Sequence, residues 1–413
     1  MKLEEIKHIE LTTTKACNMR CTYCYEKKDK KSVFTKETAD NVIDLVKNYS
    51  SIESITLFGG ESLLPEIADD IMKFLKDLYD VRNNIVISII TNGYETKEVE
   101  HILDYIADNF EELQIQFSLD GCKEAHDICR KDLHNNGTFD DVLNNVMYTL
   151  DKYKDRENVH IHIHHVVSLE NIKYLIETVC LDNELIKMFK NYRCSYNSEH
   201  SIHTEPHDEE ALLDMLEQLH QIYLNGDLHP LIWDSLLNVD DYLWKQHSRC
   251  AFTRRNMAVD PNGNCSPCHF FTDKDNHVYY NVNTKEINEE AYVKTKAFEE
   301  DSNIVSELGR DCSTCPGIGF CAYCAASSYV QTNYKDKTIV GSTACSFAYT
   351  IANWTLQTYN DGCRPYHDEE FLKEGLALLN RLVNTIDKNP DNEKLVRAFL
   401  YLRIKYRLYG ADI

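Results

Sequence analysis

The sequence predicts an α/β fold, a partial barrel of six βα units followed by a cysteine-rich segment and C-terminal helices. Three observations predict it. From residue 8 to about 200, short β-branched or apolar runs alternate with longer helical patterns, the sequence sign of a parallel sheet. From Cys250 to Cys345 cysteines are dense, and turn formers such as DPNGN replace long periodic runs. From His367 to Tyr409 two helical stretches are split by KNPDNEK.

The predicted strands run His8 to Thr14, Ser54 to Phe58, Ile85 to Ile90, Leu113 to Leu119, Val159 to Ser168 and Asn191 to Tyr196. Helices fit between them. In KETADNVIDLVKNY, Thr35 can cap the N-terminus, and Ala39, Val42, Ile43 and Val46 make one apolar stripe. Residues 208–245 read as acidic amphipathic helices bridging the two halves. The expected divisions are 1–205, 206–248, 249–365 and 366–413, and 413 residues exceeds the roughly 250 to 300 at which single cores split. In parallel α/β folds ligands bind beyond the carboxyl ends of the strands. Four unusual motifs fall there: a cysteine loop after the first strand, then FGGES, TNG and SLDG after the next three.

The net charge of −23 would repel a phosphate backbone or an anionic membrane surface, which excludes nucleic acid and membrane as main partners. The start MKLEEIKHIELTTTK has no apolar h-region and carries early acids, so a cytoplasmic location is expected. No run approaches the roughly 18 apolar residues of a membrane span. In a reducing compartment, 16 cysteines are metal ligands or small buried hydrophobes rather than disulfides.

Cys17, Cys21 and Cys24 form a C-x3-C-x2-C loop. At this cysteine content, chance would produce such a triplet about 0.03 times per chain. Zinc sites favour C-x2-C pairs closed by a second pair, and here the next cysteine is Cys122. Three thiolates on one loop can hold three irons of a cubane cluster and leave the fourth open to a substrate or cofactor.

CNMRCTYC, then GGE, then SLDG resembles the radical S-adenosylmethionine (radical SAM) enzymes. The resemblance implies a partial (β/α)6 TIM-like barrel. It also implies a [4Fe-4S] cluster on Cys17, Cys21 and Cys24 whose open iron chelates S-adenosylmethionine, cleaved to a 5′-deoxyadenosyl radical that abstracts hydrogen from substrate. On the same resemblance Gly59, Gly60 and Glu61 receive the methionyl ammonium, Ser118 and Asp120 contact ribose and methionyl groups, Arg130 meets the cofactor carboxylate, and Tyr23 neighbours the adenine. Read from the residues alone, GGE is an ordinary βα turn and Arg130 a helix-surface ion-pair former.

The later cysteines resemble the SPASM extension of anaerobic sulfatase-maturating enzymes and of maturases of ribosomally made peptides, which carries two auxiliary four-iron clusters. Carried across, Cys312, Cys315, Cys321 and Cys345 hold the outer cluster, and Cys250, Cys268 and Cys324 the inner one, with Cys265 its candidate fourth ligand or else a free thiol. The chain departs from the family in having two residues rather than three between Cys321 and Cys324. A four-cysteine zinc knuckle is the rival reading of Cys312 to Cys324. Sulfatase maturases place an aspartate base directly after the cysteine matching Cys268; this chain has His269 there, a candidate catalytic base whose neutral imidazole can accept a proton near neutral pH, and the change weakens the sulfatase assignment.

The resemblance therefore implies an oxidoreductase that modifies a peptide or protein residue, giving a thioether, carbon–carbon crosslink, epimer or oxidised side chain. Its partners would be the peptide substrate and a low-potential ferredoxin or flavodoxin; with only sixteen residues before Cys17, leader recognition is expected to need another surface or a separate protein. The alternatives are formylglycine formation in sulfatases and a non-catalytic metal-bound peptide scaffold. The strand VHIHIHHVV sets His160, His162 and His164 on one face, read as polar lining of the barrel interior rather than a metal site. Cys122, Cys129, Cys180 and Cys194 lack cluster spacing and read as packing residues.

Overall fold

The computed structural model describes residues 3–26, 29–199, 203–237, 255–271, 277–296, 305–312, 315, 321, 324–332 and 339–360. The first half runs β1 (His8–Lys15), β2 (Asp29–Val33), α1 (Lys36–Asn48), β3 (Ser54–Gly59), α2 (Ala68–Val81), β4 (Val86–Thr91), α3 (Glu100–Asn109) and β5 (Glu112–Ser118). It continues with α4 (Lys123–Cys129), α5 (Phe139–Lys152), β6 (Val159–Val167), α6 (Leu175–Met188) and β7 (Cys194–Ser198). The six predicted strands are β1 and β3 to β7, parallel and in chain order across the sheet. The last begins later than expected because the Tyr192 N–H closes a turn onto Phe189 O, 2.9 Å, so 191–193 leave α6 as loop.

Alternation decides the two faces of this sheet. Ile55, Leu57, Ile87, Ile89, Leu113, Ile115, Phe117, Ile161 and Ile163 are at most 3% exposed and share one core with residues of α1, α2, α3 and α5, among them Val42, Phe74, Ile102 and Val146. Burying each such side chain stabilises the fold by about 1.5 to 3 kcal/mol. Thr35 caps α1 as expected, accepting from Thr38 N at 3.1 Å. The intervening positions Ser88, Gln114, Gln116, His162 and His164 point to the opposite, open face and are each partly exposed.

The second half contributes to the same sheet. Helices α7 (Glu209–Leu224) and α8 (Pro230–Leu237) occupy the predicted bridge, and then β8 (Asn256–Val259) pairs parallel with β1, from His8↔Asn256 to Leu11↔Val259. β9 (Asn264–Ser266) and β10 (Tyr280–Asn281) add antiparallel to that edge, and β2 pairs antiparallel with β1, for ten strands in all. The DPNGN turn joins β8 to β9: Asp260 Oδ1 accepts from Asn262 N and Asn264 N, and Gly263 sits at φ +83°. There follow α9 (Glu289–Lys296), β11 (Val305–Ser306), α10 (Ala325–Gln331), β12 (Ile339–Val340) and α11 (Ser342–Asn360), with β11 and β12 paired parallel. Cys250 and the predicted C-terminal helices beyond residue 360 lie outside the described residues. No described helix is long and apolar enough to cross a membrane.

Candidate active site

The four motif loops meet at the carboxyl end of the parallel strands and are tied by named bonds. The cysteine loop leaves β1 and is held by the end of α4 and the residues just after it: Arg20 N donates to Lys131 O, 2.7 Å, and Thr22 N to Cys129 O, 2.9 Å. Gly59 and Gly60 press the end of β3 against it. A Cβ at Gly60 would stand 2.2 Å from Ala16 O, and one at Gly59 2.1 Å from Thr14 O, so only glycine permits this approach.

Glu61 is buried, and its carboxylate joins the second loop to the third. Oε1 accepts from Leu63 N at 2.9 Å and Thr91 Oγ1 at 2.8 Å, and Oε2 from Asn92 N at 2.7 Å. Asn92 in turn reaches the cysteine loop, donating to Asn18 Oδ1 at 2.8 Å and approaching Cys17 Sγ at 3.7 Å. On the other side Asp120 accepts from the Tyr23 hydroxyl, lies 3.0 Å from Arg130 Nε, and takes the Val166 N–H at 3.1 Å. Burial would raise the Asp120 carboxyl, and the Arg130 guanidinium, His126 and the hydrogen bonds from Tyr23 and Val166 together outweigh it, holding the group below its usual range. His126 accepts the Asp120 N–H on Nδ1, 3.2 Å, and burial pushes its imidazole down to about 4, so it is neutral there. Ser118 ends β5 half-buried, in register with His164.

The donor set at the cysteine loop fits an iron–sulfur cluster. Cys17 Sγ accepts from Met19 N, 3.4 Å, and Cys21 Sγ from Arg130 Nη1, 3.7 Å, which are N–H contacts of the kind that tune cluster thiolates. Burial pushes the Cys21 thiol up to about 11 against the pull of Arg130. Such a thiol stays protonated at neutral pH until a metal ion takes its proton's place.

Of the later cysteines, Cys312, Cys321 and Cys345 share one small apolar cluster with Leu308, Val340 and Ala344. Cys345 Sγ also accepts from Ser306 Oγ at 2.9 Å and Arg310 Nη1 at 3.7 Å. Cys268 and Cys324 meet in a second cluster with Phe271 and Ala326. Cys265 belongs instead to the main core, its Sγ 3.6 Å from Gly263 O. His269 pairs with Glu10 on β1, Nδ1 to Oε2 3.1 Å, and its backbone N–H reaches the same oxygen at 3.1 Å. Burial works against charge on both, yet the pair lowers the Glu10 carboxyl and raises the His269 imidazole.

Sequence reasoning did not single out Glu10, Asn92 or His126. Asn92 lies inside the TNG motif, which in the sequence reads only as a loop.

Residues 11–179 match the radical SAM superfamily and form a radical SAM domain. Over 180 residues the chain is 32% identical to an uncharacterized protein of Methanocaldococcus jannaschii, covering 43% of this chain and 58% of that one, so the match spans little over half of that relative. It is 27% identical to the cysteine-type anaerobic sulfatase-maturating enzyme of Clostridium novyi (74% of this chain, 83% of the relative) and 24% identical to the radical SAM cyclopropyl synthase TigE of Paramaledivibacter caminithermalis (81% and 71%). A GTP 3′,8-cyclase of Clostridium perfringens is 28% identical over 43% of this chain and 52% of its own. Among solved structures, anSMEcpe with bound AdoMet superposes with TM-score 0.63 at 17% identity, over 96% of this chain and 98% of that one. At such identity the likeness speaks for the α/β fold, with its mostly parallel sheet followed by a cysteine-rich region.

Proposed function

We propose that this chain is a radical SAM enzyme that modifies a residue within a peptide, as a maturase of a ribosomally made peptide. One observation carries the reading: Cys17, Cys21 and Cys24 stand on the loop that Tyr23 fastens to Asp120 and Arg130, at the strand ends where Glu61 and Asn92 also converge. Cys17, Cys21 and Cys24 would hold the cluster, and Tyr23, Gly59, Gly60, Glu61, Ser118, Asp120 and Arg130 the S-adenosylmethionine. When bound, the two together supply a 5′-deoxyadenosyl radical able to take hydrogen from substrate. Two auxiliary clusters would sit on Cys312, Cys315, Cys321 and Cys345, and on Cys250, Cys268 and Cys324. Cys265 joins the inner set only if its thiol leaves the Gly263 carbonyl. A low-potential ferredoxin or flavodoxin would donate the electron.

The open face supports a peptide over a nucleotide. Its positions on β3 to β7, from Ser54 to Asn197, carry no lysine or arginine, which a triphosphate would require. The residues themselves bind and orient: Glu61 fixes Asn92 against the cysteine loop, and Asp120 keeps Arg130 charged and aimed at Cys21. Anaerobically reconstituted protein should hold about twelve irons and release 5′-deoxyadenosine with a strong reductant. About four irons or fewer and no 5′-deoxyadenosine would refute the reading. Coexpression with a short precursor encoded nearby, read by mass, would then identify the modified residue.

Formylglycine formation is the second reading, favoured by the Clostridium novyi relative. Against it, an imidazole, His269, stands where those enzymes place an aspartate base, and it is paired with Glu10, Nδ1 to Oε2 3.1 Å. Mass loss on a cysteine-type sulfatase peptide would establish it.

A further inference from the structure

The histidine strand places three imidazoles on the open face; His160 faces Glu112 at its exposed end, and His162 and His164 lie one rung apart beyond it. His164 lies in register with Ser118 on β5 and Ser195 on β7, level with the loop that carries Asp120, and His162 lies one rung deeper, opposite Gln116. A single hydroxyl joins them: Ser195 Oγ is 2.8 Å from His162 Nε2 and 3.2 Å from His164 Nδ1. Asn197 Nδ2 also approaches His164 Nδ1, at 3.4 Å.

A serine hydroxyl has one proton, so it can donate to only one of the two nitrogens and must accept from the other. The Asn197 amide NH2 has no lone pair to accept with, and it lies 3.4 Å from His164 Nδ1 and 3.5 Å from Ser195 Oγ, so an Nδ1–H on His164 would face it without an acceptor; Nδ1 is bare and the His164 proton is on Nε2. Ser195 then accepts from His162 Nε2–H, and His162 Nδ1 is bare. Neither His164 Nε2 nor His162 Nδ1 is hydrogen-bonded among the described residues. The pair therefore offers one donor and one acceptor to the open face. Burial keeps both rings neutral, pushing His162 down to about 4 and His164 to about 3, and the nearest guanidinium, Arg130, is spent on Asp120.

We propose that His162, Ser195 and His164 form a subsite for an uncharged amide of the substrate, His164 Nε2–H donating to its carbonyl oxygen and His162 Nδ1 accepting its N–H. The inference rests on the reading of the open face as the substrate cavity, and it narrows the substrate to a backbone amide or carboxamide side chain. An anion gains nothing here, since it would meet the lone pair of His162.

The test is nitrogen NMR of reconstituted protein labelled at histidine, with His162→Gln and His164→Gln each removing one pair of signals for assignment. N-acetylglycine N′-methylamide and inorganic phosphate serve as probes. Both rings should be in the neutral Nε2–H form, the amide should shift both, and phosphate neither. Ser195→Ala should weaken amide binding about tenfold, the loss of roughly one hydrogen bond, and Ser195→Thr should restore it, with melting temperatures checking the fold. An imidazolium at neutral pH, a response to phosphate alone, or undiminished amide binding by Ser195→Ala would each overturn the proposal. Formation of 5′-deoxyadenosine from S-adenosylmethionine alone, measured on the same sample, reports separately on the radical SAM reading.

Discussion

Arg130 Nε lies 3.0 Å from Asp120 Oδ2, and the two side chains are 7% and 0% exposed. The pair joins the loop after β5 to the end of α4, and Tyr23 brings the cysteine loop into it, its hydroxyl on Asp120 and its ring 5.4 Å from the guanidinium carbon. Breaking one partner of a buried pair leaves a charge without compensation, at about 3 to 5 kcal/mol. Asp120→Asn should therefore lower the anaerobic melting temperature sharply. The double variant Asp120→Asn with Arg130→Gln should recover part of the loss, because no lone charge remains. A double variant as unstable as the sum of the singles would show that the ion pair is not the cause.

Gly60 sets how closely β3 approaches the cysteine loop. In Gly60→Ala the added methyl would stand 2.2 Å from the Ala16 carbonyl oxygen, a backbone atom with no freedom to rotate away. The loop must shift, and its Gly60 N to Thr14 O bond of 2.8 Å shifts with it. Reconstituted Gly60→Ala should lose about four irons per chain while the rest of the fold melts near the wild-type temperature. A wild-type iron content would mean that the loop tolerates the movement.

Glu61 was expected at the cofactor, and its observed bonds predict a further role. Three donors already meet its two oxygens, so in Glu61→Gln the amide NH2 must face at least one N–H or hydroxyl. A buried donor left unsatisfied costs about 1 to 3 kcal/mol. Asn92 would be released from its position beside Cys17, and iron content should fall together with stability. Loss of S-adenosylmethionine binding alone, with iron and melting temperature intact, would instead place the carboxylate purely at the ligand.

The strand order and rim loops were legible because β-branched alternation and turn residues are local signals: Ile55 and Leu57 read as one face of β3, and FGGES as its carboxyl-end loop. The pairing of β8 with β1 was not. NMAV is four residues buried on both faces, without alternation, and its partner His8 to Leu11 lies some 250 positions away. Cys268 with Cys324, and Cys312 with Cys321 and Cys345, could be paired only by resemblance, since spacing cannot say which distant thiols meet. The Glu10–His269 pair was hidden for the same reason. Each residue is ordinary in its own segment, and only the sheet edge brings them together.

His207 supplies a pH dependence independent of any cluster. Its ring is buried beside Phe347, centroids 5.8 Å apart, with no hydrogen bond to either nitrogen among the described residues, and burial pushes the imidazole down to about 4. An unfolded histidine titrates near 6.5. Between those values the unfolded chain takes up a proton that the folded chain refuses, so stability falls as pH falls through the window and is unaffected above it. At 1.36 kcal/mol per pH unit the loss is about 3 kcal/mol. His207→Leu removes the titrating group and keeps an apolar body against Phe347. Its melting temperature should drop less steeply than wild type between about pH 6.5 and 4, with the two curves parallel above pH 7. Parallel curves over the whole range would mean that His207 accepts its proton in the folded protein as readily as in the unfolded chain.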